Sequence, residues 1–158
     1  PGVGGHCIAV DPYFIVSAAP GISNLISMAR KVNNSKPKWV VEKIQSAVLD
    51  ILSSELGKSA SDIKIILYGL SFKANIDDLR ESPSIKIAQQ IANLHPGPVL
   101  AVEPHIESKV FIEIGLQDIN LDAALLDGDV HVLLVDHDIF KDRKPRSGAI
   151  IDTRGIWK

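Results

Sequence analysis

The sequence has one cysteine, Cys7, among 158 residues. A single cysteine excludes an internal disulfide and fits a reducing compartment such as the cytoplasm. No apolar run approaches the roughly 20 residues that span a bilayer, which argues against a membrane segment. Charge of one sign is lacking too. The formal net charge of -2 offers no electrostatic reason to expect nucleic acid or an anionic membrane as partner. The histidines at 95, 105, 131 and 137 show no metal-ligand spacing alongside that cysteine, so no metal is expected. No internal repeat, low-complexity tract or secretory leader is visible. The chain opens inside "PGVGGHCIAVDPYF" without a methionine, so a missing leader means little.

What is present reads as a soluble domain with its own core, at 46% apolar and 23% charged residues. Residues 1–21 are rich in Gly and Pro and read as a loop. Ile22, Leu25, Ile26, Ala29 and Val32 then recur at helical spacing. Ser35 and Pro37 read as the cap and first turn of a second helix. That helix carries Val40, Val41, Ile44, Ala47, Val48, Ile51 and Leu52 and stops at Gly57. These apolar faces exceed what a lead-in needs, and a second copy of the chain is expected to cover them.

From residue 58 the pattern becomes strand and helix in alternation. "IKIILYGL" is a continuous apolar run, as in a strand buried on both faces. Ser82 and Pro83 open a helix with Ile85, Ile87, Ala88, Ile91 and Leu94 in period. "GPVLAVEP", "VHVLLVDH" and "GAIIDT" supply three more strands, with a short helix at "LDAALLDGD". The fold class is therefore α/β: a central helical segment, then a small parallel sheet with helices on both faces. Three units are expected, a cysteine loop over 1–21, a helical segment over 22–57 and the sheet domain over 58–158.

Ligands of such sheets sit beyond the carboxyl ends of the strands. "GLSFKANIDDLRES" and "DTRG" place Lys73, Arg80 and Arg154 there, a set suited to an anion such as a diphosphate. The alternative is a solvated charged loop in which Arg80 pairs with its acidic neighbours. Gly69 is followed by no G-x-G-x-x-G pattern, so the sheet is not expected to hold NAD in the usual manner. Cys7 also has two readings. A lone cysteine is commonly a small buried hydrophobe. Gly4 and Gly5, however, let backbone N–H groups approach an anion and favour a thiolate, and Asp11 could orient a water or a proton. A redox-sensing thiol would need a resolving cysteine, and there is none.

"GVGGHCIAVDPYF", "GLSFKANIDDLRESP" and "DTRGIWK", in that order and with "ARKVNNSKPKWVV", "VEP" and "LVDH" between them, resemble the UDP-glucose/GDP-mannose dehydrogenase family. The resemblance runs from Pro1 to Lys158. It implies the C-terminal portion of a longer enzyme: the cysteine loop, a long central helix, for which the apolar faces above suggest a homodimer, and a Rossmann-like UDP-sugar-binding domain. It further implies oxidation of C6 of a UDP-sugar, twice, with two NAD+ bound mostly by an N-terminal domain outside this sequence. Cys7 would add to the aldehyde and Asp11 would assist the water and proton steps. Gly2, Val3, Gly4, Phe72, Lys73 and Arg154 would contact the substrate, and Arg80 would face the cofactor. The "GGHCIAVDP" form points to UDP-N-acetyl-D-mannosamine, with UDP-N-acetylglucosamine and UDP-glucose as alternatives. A segment without the NAD domain is expected to be inactive alone. A UDP-binding and dimerising module without catalysis is the reading from another function class.

Overall fold

The apolar run Ile65–Tyr68 forms strand β1 at the centre of a sheet, buried on both faces. The computed structural model describes residues 1–157; Lys158, the last residue of the expected sheet domain, lies outside them. Helices α1 (Asp11–Ala18) and α2 (Asn24–Ser54) precede β1. After it come α3 (Pro83–Leu94), β2 (Val99–Val102), α4 (Ser108–Glu113), β3 (Gln117–Asp118) and α5 (Leu121–Ala124). The chain closes with β4 (Val130–Leu133), α6 (Asp138–Lys141) and β5 (Ala149–Asp152). The strands pair in the order β3-β2-β1-β4-β5, every pair parallel, with Ile65 opposite both Val99 and Val130.

Alternation along β1 divides the core in two. Ile65 and Leu67 belong to a cluster with Val40, Val41, Ile44 and Val48 of α2 and Ile87, Ala88 and Ile91 of α3. Ile66 and Tyr68 pack on the other face with Leu133, Phe140 and Trp157. The Tyr68 hydroxyl donates to the Ala124 carbonyl at 2.9 Å, so this buried phenol keeps a partner. Helices thus cover both faces, as the alternating pattern predicts.

Three local expectations are corrected. Residues 1–21 are not all loop, because 11–18 form α1. Pro12 lies in its first turn, where proline is pre-set for a helix, and Asp11 complements the positive helix start. The two expected central helices are one 31-residue helix with Pro37 inside it. Ser35 does not cap; its hydroxyl bonds back to the Val32 carbonyl at 2.8 Å. An interior proline costs about 3 kcal/mol. Burial of Val40, Val41 and Ile44, each contributing about 1.5–3 kcal/mol, outweighs it. The sheet has five strands rather than four. β3 is two exposed polar residues paired with Leu100 and Ala101 through backbone alone.

This topology also sets the place of a site. From β1 the chain moves outward through β2 and β3, then returns to lay β4 against the opposite edge of β1. A crevice opens where such paths diverge, beyond the carboxyl ends of β1 and β4.

Candidate functional site

Gly69 brings the two loops at that crevice together. It adopts φ +89°, and a Cβ there would lie 2.4 Å from the Val135 Cβ. Only glycine meets both conditions. Beyond it the chain turns over a buried polar cluster. Glu103 Oε2 accepts the N–H groups of Leu70 at 2.7 Å and Ser71 at 3.1 Å. The same oxygen lies 3.0 Å from Nε2 of the fully buried His137. His137 Nδ1 accepts the Asn75 N–H at 2.9 Å, so the ring proton sits on Nε2 and is donated to Glu103. Burial alone would raise the Glu103 carboxyl. The His137 hydrogen bond, with the Leu70 and Ser71 donors, holds it instead below the ordinary value.

These bonds have a consequence for cofactor binding. In dinucleotide folds the N–H groups just after β1 face a pyrophosphate; here Glu103 takes them. The next helix starts only at Pro83, capped by the Ser82 hydroxyl, which accepts the Ser84 N–H at 3.2 Å. The loop therefore offers no dinucleotide cradle.

The opening segment packs across the same edge. A Cβ on Gly4 would lie 2.4 Å from the Glu81 carbonyl oxygen and 2.8 Å from Pro83 Cδ, so the backbone fits only without a side chain. α2 holds the segment from outside. Asn33 accepts the Val3 N–H at 2.8 Å and donates to the Val3 carbonyl at 3.2 Å. Asn34 donates to the Tyr13 hydroxyl at 2.7 Å, and Arg30 reaches the Ile8 carbonyl at 3.4 Å. Cys7 is exposed. Its carbonyl accepts the N–H groups of Val10 at 3.0 Å and Asp11 at 2.8 Å, which begins α1.

A cleft of about 420 Å³ lies between these parts. Gly2, Val3, Gly4, Phe72, Lys73 and Arg154 all line it, six residues drawn from three separate stretches of sequence. Lys73 is exposed, and its ammonium has no partner among the described residues. Arg154 is not free: its guanidinium bonds Asp136 Oδ1 through Nε at 2.8 Å and Nη2 at 2.7 Å. Cys7, Asp11 and Arg80 are not part of the cleft wall, although Ile8, next to the thiol, is. Arg80 chelates Asp78, with Nε 3.0 Å from both carboxylate oxygens. Hydrogen bonds from the Arg80 side chain and then its backbone hold Asp78 down to about 2. Asp78 in turn holds the Arg80 guanidinium above its ordinary value, with a smaller contribution from the Cys7 side chain, so cation and thiol are within electrostatic reach. The pairing of Arg80 with an acidic neighbour is one of the two readings left open by the sequence.

Sequence reasoning missed Asn33, Glu103, His137 and Asp136. Glu103 and His137 stand in "VEP" and "VDH" at strand ends, a signal for the ligand edge but not for which residues turn inward. Asn33 carries no local signal, because its partner is 30 positions away. Among the described residues no group of three or more metal-ligating side chains occurs, and no helix is long and apolar enough to cross a membrane.

Comparison with known proteins follows the same outline. Residues 66–158 match the model of the UDP-glucose/GDP-mannose dehydrogenase family, UDP binding domain. The chain is 51% identical over 162 residues to UDP-N-acetyl-D-mannosamine dehydrogenase of Salmonella typhi, covering 100% of this chain and 38% of that protein. It is 48% identical over 161 residues to NDP-N-acetyl-D-galactosaminuronic acid dehydrogenase of Ralstonia nicotianae, covering 99% of this chain and 36% of that protein. The structure of UDP-N-acetyl-mannosamine dehydrogenase from S. aureus superposes with a TM-score of 0.75 at 32% identity, over 100% of this chain and 36% of that one. The chain thus spans well under half the length of these relatives.

Proposed function

The chain belongs to the UDP-glucose/GDP-mannose dehydrogenase family, and from that premise we propose that it forms the UDP-sugar-binding and thiol-bearing part of a UDP-N-acetyl-D-mannosamine 6-dehydrogenase. The observation that carries this reading is the cleft, which Lys73 and Arg154 line together with the glycine segment that leads to Cys7. Lys73 meets the diphosphate as a point charge, and Arg154 turns from Asp136 to add a second cation. Phe72 gives the nucleotide an apolar wall. The Cys7 thiolate adds to the C6 aldehyde carbon: a C–S bond forms, and the carbonyl electron pair moves to oxygen and takes a proton. Oxidation of that adduct needs a hydride acceptor, NAD in our reading, and Arg80 is the side chain we place toward it. With the donors after β1 occupied by Glu103, the sheet itself is not assigned to the dinucleotide. Asp11 then assists the water that hydrolyses the thioester.

Calorimetric titration of UDP into the chain tests the cleft. Binding is expected, and Lys73→Ala and Arg154→Ala are each expected to weaken it about tenfold, the scale of a charge-assisted hydrogen bond. Binding indifferent to both substitutions sinks the assignment. The 158 residues alone, given NAD+ and the UDP-sugar, are expected to form no NADH.

A UDP-binding module without chemistry is the second reading, favoured by the absence of Cys7 from the cleft wall. Both readings include a homodimer. Ile22, just before α2, and Leu25 on it are 90% and 83% exposed, and Met28 and Val32 continue the apolar surface. We assign that surface to a second copy of the chain. Sedimentation is expected to give a dimer that Leu25→Asp dissociates; a wild-type monomer at high concentration refutes it. The free thiol fits a reducing compartment, the cytoplasm in our reading.

A further inference from the structure

The Glu103–His137 pair is buried, does not line the cleft, and has no part in the chemistry above. A carboxylate hydrogen-bonded to an imidazole at such depth seldom adds net stability over apolar residues of the same volume. Its value lies in what it fixes. Glu103 holds the N–H groups of Leu70 and Ser71, and His137 holds the N–H of Asn75. The Ser71 hydroxyl, 3.3 Å from His137 Nε2, donates to the Lys73 carbonyl at 2.7 Å. Asn75 sits in the left-handed region at φ 61°, fastened by its amide to Asp138 at 2.9 Å and 3.0 Å. Backbone groups at 70, 71, 73 and 75 are therefore tied, while the Lys73 side chain between them stays free in the cleft.

We infer that Ser71, Glu103 and His137 together position Lys73, fixing the loop so that its ammonium meets the diphosphate, and thereby set the preference for a nucleoside diphosphate over the bare nucleoside. The inference rests on the reading of the cleft as a UDP site. Each member acts through backbone and touches no ligand; these are positioning residues. Two loops and the end of β2 share the device, so a displacement at His137 reaches Lys73 through one covalent stretch, 71–75. A flexible lysine on an unfixed loop would lose affinity to the cost of ordering it on binding.

The test uses the 158-residue chain with UDP and uridine as probes, read by calorimetry and by chemical-shift titration, which reaches millimolar affinities. Ser71→Ala removes one hydroxyl and is the variant on which the conclusion turns. His137→Gln, which loses the acceptor for Asn75, sharpens it. Thermal unfolding confirms that each variant is folded. Lys73→Ala is expected to lower UDP affinity about tenfold. Ser71→Ala and His137→Gln are expected to lower it about threefold to tenfold while leaving uridine unchanged. In the Lys73→Ala background, Ser71→Ala is expected to have no further effect on UDP, the mark of two groups acting as a unit. Additive losses, or equal losses for UDP and uridine, would overturn the inference and leave a purely structural network. UDP binding that ignores Lys73 refutes it as well. A wild-type chain that binds no UDP instead brings down the reading of the cleft on which it rests.

Discussion

Two segments line the cleft together, and they are held by opposite means. The loop after β1 is tied from beneath, by a carboxylate and an imidazole that water does not reach. The cysteine segment is tied from outside, by Asn33, Asn34 and Arg30 on α2, in bonds made near the surface. Breaking a buried bond strands a polar group away from water, whereas an exposed group finds a water in exchange. The Lys73 loop is thus ordered by the domain's own core. The thiol edge is held by α2, by the Gly5 N–H bonded to the Arg80 carbonyl at 3.3 Å and by the close packing of Gly4 on Glu81 and Pro83, and Cys7 remains open to solvent. Recognition needs a rigid surface, while a nucleophile has to meet a carbon whose geometry changes. On the proposed function, the division of labour follows from that difference.

The comparison is tested most severely at Cys7. In a chain extended to the length of the relatives, Cys7→Ser is expected to reduce oxidation of the C6 aldehyde by on the order of a thousandfold or more, with UDP affinity unchanged. Stopped-flow NADH measurements and calorimetry read the two separately. A parallel loss of both would mean that the two edges do not act independently.

A smaller effect is expected at Asn33. Asn33→Ala deletes two surface hydrogen bonds to Val3 and is expected to cost about 1 kcal/mol. Amide exchange is expected to quicken over Val3–Cys7 and to stay as it was over Leu70–Asn75. Faster exchange in both stretches would show that one support serves both.

The smallest effect concerns acid. The Glu103 carboxyl is held below its ordinary value of 4.5 in the folded chain. It therefore contributes stability that is present above that value and is lost as pH falls through the lower, folded one. Asp78, with a carboxyl at about 2, adds to the same limb from the surface. Glu103→Gln is expected to flatten the decline in urea-unfolding stability between about pH 5 and pH 3 without abolishing it. An unchanged slope would mean that the Glu103 carboxyl titrates alike in the folded and unfolded chain, and a steeper one that it is neutral when folded.

Much of the layout was legible before any coordinates. "IKIILYGL" and "VHVLLVDH" are too apolar and too short to be anything but strands covered on both sides. Ser82-Pro83 named the start of α3 because both residues act locally, one as a cap and one as a pre-set φ. Local rules failed where distant packing outweighed them. Pro37 reads as a helix opener, yet it lies inside α2 because the residues after it are gripped by the sheet. The Gly and Pro of the first 21 residues concealed α1. β3 had no side-chain pattern to find.

For the site, residue types and family likeness pointed to Phe72, Lys73, Arg154 and the glycine segment, and these line a common cleft. Nothing local distinguished Asp136, which holds Arg154, or Glu103 and His137, which hold the loop.

The sequence by itself determined a parallel α/β sheet and the chemistry at its edge, since hydrophobic period and the identity of a thiol, a lysine or an arginine are properties of residues. Only the tertiary structure decided which polar groups line the cleft and which meet each other. The pairings of Asp136, Asn33, Glu103 and His137 join positions 18 to 62 residues apart, and their geometry comes from packing rather than from local preference.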